Sequence, residues 1–169
     1  MNSMSIDDVI DVLADFIDPI AGRCEQAQVN RVAMDTGAFC MLTPLFFKRL
    51  STTREVPNDT GSTATSSVRL TEVRQADIQV DIYGVRAADR AIALETVFRS
   101  GHAYDLIKAR DKRVAPLYAS EAMQAPFINA GEQWEQRYTV TLSLQVHITV
   151  EVPQAYFDRI SVTTEQVDT

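Results

Sequence analysis

His102 and His147 are the only histidines in the 169-residue chain, and Cys24 and Cys40 the only cysteines. A zinc site needs three or four converging ligands, and no Cys, Asp or Glu falls beside either histidine at a recognised metal spacing. The sequence therefore implies no metal. Gly84, Gly101 and Gly131 are isolated, so no glycine-rich phosphate cradle is present and each glycine reads as an element terminator. Ser, His and Asp all occur, yet without a Gly-x-Ser-x-Gly elbow they define no triad. The segment Glu132-Gln133-Trp134-Glu135-Gln136-Arg137 sets two carboxylates beside the only tryptophan. An acid-base pair there would need opposed environments to split its pKa values, and at the mouth of a strand both groups are solvated. Trp and Arg dominate interface hot spots, so Trp134 and Arg137 read as contact residues. No catalytic residue and no cofactor is implied.

Composition supports the same reading. Sixteen Lys and Arg against 23 Asp and Glu leave a net charge of −7, which disfavours general affinity for a phosphate backbone. With 46% hydrophobic and 23% charged residues the chain has the make-up of a globular domain, and its length suits one domain over residues 1–169. The amino terminus is acidic and leads into an amphipathic pattern, so it is not read as a secretory signal. The longest apolar stretch, 38–47, is too short to span a membrane. Without export, Cys24 and Cys40 are expected to stay reduced.

These residues must be positioned by a few elements. Ser5 with Asp8 reads as a capping box, and Ile6, Val9, Ile10, Leu13, Phe16 and Ile17 follow at helical spacing, predicting a helix that ends near Asp18-Pro19. Asp35 to Gly37 reads as a turn. Phe39 to Leu50 reads as a strand with Pro44 at an edge or bulge. Residues 51–67, rich in Ser, Thr, Asn, Asp and Gly, predict a flexible loop or hairpin tip. In the strand Val68 to Tyr83, Ala76, Ile78, Val80 and Ile82 alternate with Asp77, Gln79, Asp81 and Tyr83, which predicts one buried face and one wet, acidic face. A second helix follows over Ala87 to Phe98, buried through Ala87, Ala88, Ala91, Ile92, Leu94, Val97 and Phe98. A short third is expected over His102 to Ala109. Asp111 to Gly131 reads as an irregular connection.

The most regular signal is the alternation of Tyr138, Val140, Leu142, Leu144, Val146, Ile148 and Val150 with polar residues, His147 among them on the wet face. Such a strand would run roughly 40 Å, so it either bends or projects beyond the domain. Pro153 ends it, and a last short strand is expected over Arg159 to Thr164. The economical architecture is α+β, with a mostly antiparallel sheet of long strands against two main helices.

Three groups of segments together resemble one phage family. They are Gln28 to Met34 with Met41 to Leu45 and Lys48 to Thr52; Gln79 to Gly84 with Ala87 to Asp89; and Val114 to Tyr118, Pro126 to Asn129, Glu135 to Arg137 and Val152 to Gln154. Their order and spacing are similar to neck or tail terminator proteins of contractile-tailed phages and prophages, although Asp35 stands where the pattern would place a proline. The resemblance implies a structural virion protein without cofactor, assembled in the host cytoplasm. It further implies a homo-hexameric ring that caps the tail and joins it to the head connector, with DNA passing through the bore without tight binding. Connector, other neck, tail-tube or sheath proteins would be its partners, and no membrane is involved. Phe127, Trp134 and Arg137 are then candidates for the subunit interface, and Asp77, Gln79 and Asp81 for the lumen. Other readings stay open at this point: a head-completion adaptor, a tail-tube subunit, a monomeric binding module, or a small enzyme using the Glu132 to Arg137 region.

Overall fold

A computed structural model describes residues 4–27, 37–62, 64–128 and 132–154. Helix α1 spans Ile6–Ala21. Its first turn is closed as a capping box: the Asp8 amide donates to Ser5 Oγ at 3.0 Å, and the Ser5 amide donates to Asp8 Oδ2 at 2.8 Å. The helix runs through Pro19 rather than stopping before it. Proline forfeits one amide, which would have bonded the carbonyl of solvent-facing Asp15, while continuation buries Ala21 completely. Ile6 lies on the exposed side of this helix.

The strands follow as β1 (Cys24–Gln26), β2 (Phe39–Arg49), β3 (Arg54–Asn58) and β4 (Ser67–Tyr83). Helices α2 (Ala87–Phe98) and α3 (Gly101–Arg110) come next. The chain then forms β5 (Val114–Ala119), β6 (Met123–Gln124), β7 (Phe127–Ile128), β8 (Trp134–Glu135) and β9 (Arg137–Pro153). A seven-stranded sheet takes the order β1-β2-β4-β9-β5, with β3 also on β4 and β6 also on β9; β7 and β8 form a separate pair. Among the described residues only the β1-β2 ladder is parallel. The class is thus α+β with a mostly antiparallel sheet, and among the described residues it has three helices, the third, α3, covering the short one expected over His102 to Ala109.

Strands β4 and β9 pair over their whole length, from Ser67 opposite Pro153 to Tyr83 opposite Arg137. Ala76, Ile78, Val80 and Ile82 meet Val140, Leu142, Leu144 and Val146 on one face, all fully buried with Leu13, Ile17, Leu94 and Ile107 of the helices in a single core. Burying these aliphatic side chains is the main driving force for the fold. Toward the other end, Ser67 to Gln75 are only half-buried and β3 is exposed throughout. The far halves of β4 and β9, with β3, therefore form an arm that leaves the helix-covered core.

Several expectations change in detail. Residues 51–67 contain a paired strand, β3, which makes a hairpin with β4; the polar composition reflects full exposure of both β3 faces. The bulge expected at Pro44 is present as a register shift between Pro44 and Phe46. The stretch from Asp111 to Gly131 is not simply irregular, because β5 and β6 pair with β9 and β7 pairs with β8. A shift between Pro116 and Tyr118 breaks the alternation that would have revealed β5. Ile92, expected in the core, faces solvent. The expected last strand and most of the turn at Asp35 to Gly37 lie outside the described residues.

Candidate assembly surface

The end of the sheet where β4 finishes and β9 begins gathers most of the candidate residues. Tyr83 is the hub. Its ring stacks on Phe39 with centroids 4.7 Å apart, and Phe127 meets it edge-on at 5.4 Å. Burial pushes the Tyr83 phenol up in pKa, and a hydrogen bond from Arg137 opposes that shift. Arg137, in register with Tyr83, lies 3.8 Å through Nε from Asp81 Oδ1. The interface candidates Phe127 and Arg137 and the lumen candidate Asp81 thus belong to one continuous patch, while Gln79 and Asp77 extend it along β4.

Asp77 and Asp81 are not wet. Each is only 7% exposed, and Ser143 opposite Asp77 is 6% exposed. Both sit in the middle of the sheet, where neighbouring strands crowd the side chains and supply donors. Asp81 accepts from Thr139 Oγ1 at 2.6 Å and from Gln79 Nε2 at 2.9 Å; Asp77 accepts from Gln75 Nε2 at 2.9 Å. These bonds offset the cost of withdrawing the carboxylates from water. The face they share, with Gln79, Thr141, Ser143 and Gln145, is polar and lies opposite the core. His147 is on it, half-buried and 3.1 Å from Gln145 Nε2.

Trp134 behaves differently from Phe127. It is 73% exposed, and its pairing partner Ile128 is exposed as well. Beside it a groove of about 670 Å³ is bounded by Gly84, Val85, Arg86, Asp89, Trp134 and Gln136. Val85, at 82% exposure, is the most exposed large apolar residue among those described. Sequence reasoning missed Val85 and the groove; the signal was a valine between Gly84 and Arg86, in a turn where a polar residue is usual. The turn is tightly built. Gly84 has φ +88° and lies so close to Gly37 that a Cβ would overlap the Gly37 carbonyl oxygen.

Among the described residues no three His, Cys, Asp or Glu side chains approach closely enough to hold a metal ion. No helix among them is long and apolar enough to cross a membrane. What the fold displays is an aromatic-anchored, apolar-rimmed surface beside a polar sheet face, the equipment of a structural protein that works by contact. The chain belongs to the phage neck terminator protein family, which matches residues 7–168. No curated protein matches it. The family consists of structural phage neck proteins, which places the chain in the virion among other head and tail proteins.

Proposed function

We propose that the chain is a non-enzymatic subunit of a homo-hexameric ring at the head-tail junction, capping the tail and joining it to the connector while DNA passes through the bore. One observation carries the reading beyond the family: the sheet has a helix-packed face and, opposite it, a polar face on which no helix packs among the described residues. A ring subunit needs such a division between supporting layer and lumen. Asp77 and Asp81 set carboxylates within this face, and Gln79 with the Thr and Ser rows makes its surface hydrogen-bonding, which lets DNA slide without gripping.

Closure of a ring requires two different surfaces per subunit. The Trp134 groove supplies one, with Phe127 and Arg137 at the same end of the sheet. The arm supplies the other, since its exposed strand β3 offers an edge that a neighbour can complete. Trp134→Ala tests the assignment: we expect folding stability within about 0.5 kcal/mol of wild type, because the side chain is exposed, together with loss of the ring in native mass spectrometry of the assembled neck. Intact rings from this variant would remove Trp134 from the interface.

A further inference from the structure

We propose that Cys24 and Cys40 form a redox pair that closes into an intrachain disulfide, stapling edge strand β1 to β2. Both cysteines are free. The parallel ladder sets Cys24 directly opposite Cys40, with Glu25 opposite Met41 and Gln26 opposite Leu42. Adjacent strands run about 4.8 Å apart, inside the roughly 4.4–6.8 Å Cα separation that a disulfide spans. Opposed residues project to the same side of a sheet, so the two thiols share one gap beneath the end of α1. There Cys40 Sγ lies 3.3 Å from the Ala21 carbonyl oxygen, and Cys24 Sγ 3.6 Å from the Gly22 carbonyl oxygen. Such thiol hydrogen bonds are weak and do not hold the sulfurs apart.

The two thiols differ in a way that divides the labour. Cys24 is half-buried on the edge strand and open to a small oxidant; Cys40 is buried. The hydrogen bond from Cys24 and the charge of Arg90 lower the Cys40 pKa. Arg90 is held in place by the carbonyls of Ala21, at 2.5 Å, and Tyr83. The Cys24 pKa is raised, first by its hydrogen bond to Cys40 and then by burial. With a small-molecule disulfide as oxidant, Cys24 loses its proton and attacks one sulfur, expelling one small thiolate and forming a mixed disulfide. The Cys40 thiolate then attacks the Cys24 sulfur and expels the second small thiolate. The protein loses two protons and two electrons, and the oxidant becomes two thiols. Because the first step uses the thiol with the raised pKa, closure is slow. The pair stays reduced in a reducing cytoplasm and closes on exposure to an oxidising exterior; that timing, though not the chemistry, rests on the virion reading.

The test is incubation of the purified full chain with oxidised glutathione, followed by alkylation under denaturing conditions and intact mass spectrometry. We expect loss of the mass of two hydrogen atoms, no alkylation, and one peptide pair linking Cys24 to Cys40. The melting temperature should rise by several degrees, since the bond constrains a short loop of the unfolded chain. Cys24→Ser should show no such mass loss and no rise. Full alkylation of both cysteines after oxidant treatment, or a bond formed only between chains, overturns the pair; a bond without a rise in melting temperature overturns the staple.

Discussion

Strand β9 carries one alternation of apolar and polar residues through both halves of the β4-β9 ribbon, and the two halves meet different fates. In the near half, from Ala76 opposite Leu144 to Ile82 opposite Tyr138, three helices close over the apolar row, and Val140, Leu142 and Leu144 lose all contact with solvent. In the arm the row continues through Ile148, which is half-buried, to Val150, which is 46% exposed. On β9 no step in the pattern announces the change, whereas on β4 Glu72 and Arg74, opposite Ile148 and Val146, interrupt the apolar row where the arm begins. Alternation specifies which side chains share a face, whereas burial depends on what packs there.

Substitution can break this comparison. The largest effect belongs to Leu144→Asp, which removes a fully buried side chain and puts an unpaired carboxylate among Ile78, Leu142 and the helices; we expect loss of more than about 5 kcal/mol and an unfolded chain by circular dichroism. Next comes Gly84→Ala. The combination of positive φ and overlap with Gly37 should cost about 2–3 kcal/mol in denaturant titration, an effect confined to the turn that supports the groove. Smallest are Val150→Asp and His147→Ala, each within about 1 kcal/mol in the free subunit because the arm and the polar face have little to lose. If Val150→Asp were to unfold the isolated chain as Leu144→Asp does, the arm would be core and the contrast would collapse.

Much of the near half was legible in the sequence. The capping box at Ser5, both long strands, the second helix and the bulge at Pro44 follow from local periodicity and turn chemistry, which the backbone obeys wherever nothing distant overrides it. Helix α1 passes Pro19 because distant side chains reward burial of Ala21, and Asp81 is drawn in because Thr139 and Gln79 offer donors across and along the strands, Asp77 because Gln75 does. Strand β3 escaped because a strand exposed on both faces has no reason to alternate. Of the candidate surface, Trp134 was visible as a lone exposed-type anchor, but Phe127 has its edge against Tyr83, and Val85 emerges only once the turn at Gly84 is built. Contacts between residues far apart in sequence leave little trace in composition.

The same contrast bears on assembly. In the proposed ring, a subunit whose core is complete in one half and whose apolar row runs on uncovered in the other would be finished by its neighbour. The most direct test is a cryo-electron microscopy map of the assembled neck at side-chain resolution. The account predicts a closed ring with α1, α2 and α3 on the outer side, the Asp77-Gln79-Asp81 face toward the bore, and Trp134 and the arm against neighbouring copies; helices lining the bore, or Trp134 and the arm both in open solvent, would contradict it.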